Sequence, residues 1–193
     1  MAIKRYYAKK DNTITNAFEE NLTTRGTGSN MGASDILEVF SIYGQASSAS
    51  AEASRVLIKF DCTASSDSIK SDRDAGTIPA SGNVNFFLRL YNAKHGQTLP
   101  KSYTMDVSAI SGSWTEGTGL DMELYKDKGE SNWINRIASS SAGTHAWSST
   151  GGDYFTDASS SFSASFDDGT EDIELDITPL VEQWVNSAGN VLG

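Results

Sequence analysis

Two histidines, one cysteine and a scatter of carboxylates are the side chains that could do catalytic chemistry here. His95 and His145 do not form a metal-spaced pair, and neither a Gly-x-Ser-x-Gly run nor a His-Glu-x-x-His run occurs. Cys62 is alone, which excludes an internal disulfide framework and a multi-cysteine zinc site. It follows Asp61 with no motif around it and reads as a partly buried spectator, not a nucleophile. Glu116 beside Trp114 could be an acid in a sugar cleft, but glycoside cleavage needs two carboxylates at a defined separation. The plainer reading puts Trp114 in the core and Glu116 on a turn. Asp67, Asp72 and Asp74 fall in a polar loop, residues 63–82. Calcium needs oxygen ligands converging from close spacing, and Asp72-Arg73-Asp74-Ala75-Gly76 is only a fragment of such a loop. The residues therefore point away from an enzyme, and no metal and no cofactor is expected.

Binding chemistry is better represented. Trp133, Trp147 and Tyr154 lie in a long polar stretch, where an aromatic face could stack on a sugar with polar neighbours serving its hydroxyls. Burial as satellite core residues is the competing reading for each. Lys4, Arg5, Lys9 and Lys10 make a basic N-terminal arm on a chain of formal net charge -10. They could meet an acidic partner or a neighbouring subunit, or form a solvated terminus. With 25 acidic against 15 basic residues, no nucleic-acid partner is expected, because phosphate binding wants clustered Lys and Arg. No apolar run approaches the roughly 20 residues of a membrane-spanning helix, so no membrane partner is expected either.

The elements that must position these groups read as strands. Residues 55–61, Arg-Val-Leu-Ile-Lys-Phe-Asp, alternate. Val56, Ile58 and Phe60 make one apolar face, and Leu57 implies that the other face is partly covered, so the strand should lie inside a sheet. Asp11–Thr15, Asp35–Tyr43, Val84–Tyr91, a strand beginning at Tyr103-Thr-Met105-Asp-Val107, Phe162–Phe166 and Ile173–Ile177 complete the strand set. Residues 44–54 suit either a helix or a hairpin loop. The region 111–160, with serine runs at 139–141 and 159–161, is long enough to be functional or to hide strands. Thr178 as N-cap and Pro179 at the first helical position predict a short helix over 179–186, anchored by Trp184 and stopped at Gly189. The expected fold is a single all-β domain over residues 11–193, behind an arm at 1–10: an antiparallel β-sandwich of jelly-roll type with one short α-helix near the C-terminus.

Taken in order, several pieces resemble the DNRLRE-type β-sandwich, a jelly-roll domain grouped with carbohydrate-binding modules. They are Asn30-Met31-Gly32-Ala33-Ser34, residues 55–61, Ile78-Pro79, Phe87-Leu88-Arg89-Leu90, Trp114-Thr115-Glu116, Asn132-Trp133 and residues 176–184. The resemblance covers residues 11–185. It differs at both ends, since family members usually follow a signal peptide and continue with further apolar strands after the Trp-containing helix. The expectation is that residues 190–193 run into a sheet edge or an interface and that the protein continues beyond Gly193. Leaderless domains of this kind look like phage virion proteins. The resemblance thus implies a virion structural protein, a capsid decoration (cement) protein or a tail or fibre component, assembled in the host cytoplasm. Its partners would be a major capsid or tail protein and copies of itself, as a homo-oligomer in the particle. The alternative is a carbohydrate-binding module of a surface or secreted protein, with a polysaccharide as partner.

Overall fold

A computed structural model describes residues 3–63, 65–94, 96, 99–122, 130–138 and 143–187. His95, the serines at 139–141, the stop at Gly189 and the expected edge at 190–193 lie outside these residues. The chain is mainly β, with small antiparallel sheets and two helices among the described residues. It divides into two compact units: Tyr7–Phe60 with Gly112–Asp153, and Met1–Tyr6 with Asp61–Ser111 and Tyr154–Leu192.

The unit built on Tyr7–Phe60 holds a three-stranded sheet. β1 (Lys10–Thr15) and β2 (Ser41–Tyr43) flank β3 (Ala51–Lys59). β3 is the alternating stretch singled out in the sequence, and it is central, as its two-sided apolar pattern requires. Burial is shared between its two faces, with Glu52 and Ser54 buried on one and Leu57 on the other. Leu57 is buried, whereas Val56, Ile58 and Phe60 are only half-buried. The small-residue stretch before it is a hairpin loop: Gly44 N–H donates to Ser50 O at 2.7 Å, and the strands pair from Ser41↔Ala53 to Tyr43↔Ala51. Asp35–Phe40 adds no strand residues ahead of β2. A two-stranded ribbon, β6 (Asn135–Ile137) with β7 (His145–Ala146), lies in the stretch where strands were suspected.

The interior of this unit sets a large polar group of side chains beside Ile14, Leu57, Trp114, Trp133 and Trp147. Asn12, Thr13, Thr15, Ser29, Asn30, Glu52 and Ser131 are all buried. Buried polar groups persist only when hydrogen-bonded, and these are. Asn12 Nδ2 donates to Ser131 O at 3.0 Å and Ser131 Oγ at 2.8 Å, while Asn12 Oδ1 accepts the Met31 N–H at 3.0 Å. Asn30 Nδ2 donates to the same Ser131 carbonyl at 2.8 Å. Gly117 packs so tightly on Asn30 that a Cβ there would lie 1.6 Å from Asn30 Oδ1.

The other unit is held by apolar packing. β4 (Phe87–Leu90) pairs with β9 (Ile173–Asp176), and β5 (Tyr103–Ser108) pairs with β8 (Ser161–Phe166). Burial alternates along 84–91 with Leu88 innermost, matching the period-two pattern. Tyr103 stacks on its cross-strand partner Phe166 at 4.5 Å and 5°. The ladder β4–β9 stops at Phe87 because its partner chain turns into a helix. Ile177 N–H donates to Phe86 O, and Phe86 N–H donates to Thr178 Oγ1 at 2.7 Å.

That helix, α2 (Thr178–Asn186), buries Leu180, Val181 and Val185. Thr178 is its first residue and not its N-cap; Ile177 holds that position, and Asp176 Oδ1 accepts the Thr178 N–H at 2.9 Å. Trp184 is half-buried and the aliphatic residues do the anchoring. A second helix, α1 (Ile69–Asp74), occupies the expected 63–82 loop. Ser68 and Ser71 cap each other reciprocally, at 3.0 Å and 3.2 Å. Arg73 of α1 makes a bidentate pair with Glu182 of α2 at 2.7 Å and 3.0 Å, which ties the two helices together.

Candidate functional site

Trp133 and Trp147 are 8% and 5% exposed. Stacking on a sugar needs a free ring face, so the carbohydrate-platform expectation is corrected for both. Trp133 packs under the Arg55 guanidinium, 5.3 Å from the ring centroid, and against Gly151. Gly151 has φ +89°, and a Cβ there would come within 2.8 Å of the ring. Trp147 donates its Nε1–H to Asn132 O at 2.9 Å. These contacts make both tryptophans part of the polar-cored unit's interior. Tyr154 belongs to the other unit, is 48% exposed and forms an isolated bridge with Ile110.

Of the basic arm, Lys4 and Arg5 belong to one unit and Lys9 and Lys10 to the other. Lys4 pairs with Asp72, which also accepts the Tyr6 hydroxyl at 2.6 Å. The Lys4 and Tyr6 bonds hold the Asp72 carboxyl below its ordinary range; burial and Asp72 push the Tyr6 phenol upward. Lys10 opens β1, Lys9 N–H donates to Lys59 O at 2.7 Å, and the side chains of Arg5, Lys9 and Lys10 are exposed. Asp74 pairs with Lys70. Among the described residues no three or more His, Cys, Asp or Glu side chains are grouped to hold a metal. Trp114 and Cys62 are buried. Glu116 Oε1 accepts the Asp11 N–H at 2.8 Å. Burial, and then the Glu116 charge, hold the Asp11 carboxyl above its ordinary value.

Two surfaces have the features of a binding site, one in each unit. The first is an open cleft of about 260 Å³ beside α2. Ala109, Ser160 and Leu180 are its buried part; Phe155, Asp157 and Gln183 are exposed around it, and Trp184 is half-buried. Backbone bonds fix the wall: Phe155 N–H donates to Ala109 O at 2.9 Å and Ala109 N–H to Ser160 O at 2.8 Å. Two aromatic rings with a carboxylate and an amide beside them suit a ligand that has both an apolar face and hydroxyl groups. Trp184 lies on the same helical face as Leu180, Val181 and Val185, so nothing in the sequence separates it from the core anchors or marks the cleft.

The second surface is the outer edge of β2. Phe40 O and Gly44 N–H bond β3, and alternation places Ile42 in the same set, so Ser41 and Tyr43 aim their N–H and C=O groups away from the sheet. Among the described residues nothing bonds those groups. Ile36 and Val39 are each 50% exposed, Ile42 38% and Tyr43 75%. The opposite edge of the same sheet is covered: Asn12, Thr13, Ile14 and Thr15 are fully buried, and the outward Asp11 N–H meets Glu116. An exposed edge carrying large apolar side chains is a template for another strand. The sequence placed a strand over these residues without showing that one side of it would be bare.

No family model, no curated protein and no solved structure matches this chain. No helix among the described residues is long and apolar enough to cross a membrane.

Proposed function

We propose that this chain is a structural protein that works by adhesion and not by catalysis: a capsid decoration (cement) protein, or a tail or fibre component, of a phage particle. Its small antiparallel sheets are then parts of a jelly-roll sandwich of the DNRLRE type, and its partners are a major capsid or tail protein and copies of itself. The observation that carries the adhesive reading is the bare, apolar outer edge of β2. Chains in a particle are held by such surfaces, which a freely soluble monomer keeps covered or charged. The particle setting rests on the sequence resemblance and on a serine-, glycine- and threonine-rich chain with one cysteine. Mass spectrometry of purified particles tests it. The chain is expected among the virion proteins in stoichiometric amount; its absence from particles, with the protein found free outside cells, overturns the reading.

A second reading is favoured by the cleft beside α2. Phe155 and Trp184 with Asp157 and Gln183 would suit a saccharide, as in a carbohydrate-binding module. Titration of the chain with a panel of soluble polysaccharides, followed by tryptophan fluorescence, tests this reading. Binding that Trp184→Ala removes supports it, and no response to any glycan rejects it.

A further inference from the structure

The outer edge of β2 is its own complement. We propose that two copies of this chain pair antiparallel through β2, related by a two-fold axis at Ile42. The inference rests on the adhesive reading above and deepens it by naming a second copy as the partner at this edge. Backbone geometry comes first. Ser41 and Tyr43 aim outward while Phe40 and Gly44 are committed to β3. With Ile42 set opposite Ile42 of a second copy, Ser41 of each chain falls opposite Tyr43 of the other. Both are then hydrogen-bonded pairs, and each exchanges two N–H to O bonds. Ile42 meets its own copy at the position where side chains approach most closely. This is an isologous contact, which closes as a dimer and does not propagate.

Charge points to the same partner. The chain carries a formal net charge of -10, so most approaches of one copy to another are repulsive. Residues 39–51 contain no charged side chain. A second copy can therefore dock here without setting like charges opposite each other. The Lys and Pro residues that commonly blunt an edge strand are missing from 39–43. The apolar side chains of Val39, Ile42 and Tyr43, all exposed, would be covered by the pairing.

Sedimentation velocity of the full chain over a concentration series tests the proposal. A reversible shift from one chain mass to two is expected. Ile42→Lys should return the protein to monomer, and so should Ser41→Pro, which removes an outward N–H and leaves the β2–β3 bonds intact. Both should melt within a few degrees of the parent, and Ile42→Lys alone suffices if the proline variant does not fold. Cross-linking tests the register. Paired Cα atoms at the axis would be about 4.5 Å apart, within disulfide reach, so Ile42→Cys should form a dimer on oxidation. Ser41 is offset from its own copy by roughly 7–8 Å, so Ser41→Cys should not, and Cys62 is buried and does not compete. A monomer at every concentration, a dimer indifferent to both substitutions, or equal cross-linking at 41 and 42 overturns the proposal. Presence of the wild-type chain in particles despite a strictly monomeric protein would reject the self-pairing and leave the adhesive reading standing. A dimer absent from particles would do the reverse.

Discussion

The two units differ in how much polar chemistry they bury beside their apolar side chains. The unit around β3 encloses Asn12, Asn30, Ser131 and their neighbours, a network in which each amide has defined backbone partners. The unit around α2 encloses Leu88, Phe166, Ile173, Leu180, Val181 and Val185, with the largely buried Arg73–Glu182 pair and the exposed Arg89–Glu174 pair. An apolar core tolerates small changes of shape, whereas a buried polar network loses a full desolvation penalty for every partner removed. Each unit is therefore brittle in a different place: the first at its hydrogen bonds and close contacts, the second at its volume and at the largely buried Arg73–Glu182 pair.

The sharpest break should come at Gly117. Its Cβ would overlap Asn30 Oδ1 and displace the amide from Ser131. Gly117→Ala should cost about 4 kcal/mol or more, read as a large fall in melting temperature or as loss of folded protein on expression. Asn12→Ala comes next. It leaves the Met31 N–H without its partner and takes one donor from Ser131, and should cost about 2–3 kcal/mol by chemical denaturation. Substitution of Leu175, half-buried on β9, by Met should stay within about 1.5 kcal/mol. If the Leu175 change proved as damaging as the Asn12 one, the contrast between the units would fail.

Much of this was legible in the sequence, and the parts that were not share a cause. β3, β8, β9 and α2 were readable because their apolar periods match elements that found partners. Val84–Phe86 and Asp35–Phe40 have equally strand-like residues, yet pairing stops short of both. A pattern along one chain does not tell which neighbour will be there, and β4 loses its partner where Ile177 turns into α2. α1 was hidden because its capping box is Ser68-x-x-Ser71, with serine where Glu or Gln is the usual sign. The polar core was hidden more deeply. Asn30 and Ser131 read as loop residues, and nothing local shows that they bond each other across about a hundred positions. At the binding surfaces the sequence supplied the aromatics but not their exposure. Trp133 and Trp147 turned inward while Phe155 and Trp184 lined the cleft.

Two smaller effects sharpen the comparison through pH. Arg73 chiefly holds the Glu182 carboxyl below its ordinary value. Its contribution should be complete above the unfolded carboxylate value and lost as pH falls through the lowered one. Glu182→Gln should cost about 2 kcal/mol near neutrality and flatten the acid limb of a stability–pH curve. Asp11 has the opposite sign. Its carboxyl is raised by burial and by Glu116, so its contribution is complete below the unfolded value and lost as pH rises through the raised one. Glu116→Gln keeps an acceptor for the Asp11 N–H and removes the repulsion. It should be neutral in acid and stabilise by about 0.5 kcal/mol at pH 7; a loss of stability there would contradict the account.

The β3 sheet has one covered edge and one open edge, and we propose that the open one is adhesive. Residue-resolved amide hydrogen exchange on the full chain, at low and at high protein concentration, tests it most directly. The Asp11 amide, held by Glu116, should be protected at both concentrations. The Ser41 and Tyr43 amides should exchange close to the unfolded rate when dilute and become protected when concentrated. Protection of Ser41 and Tyr43 in the dilute monomer, or no change on concentration, would contradict it.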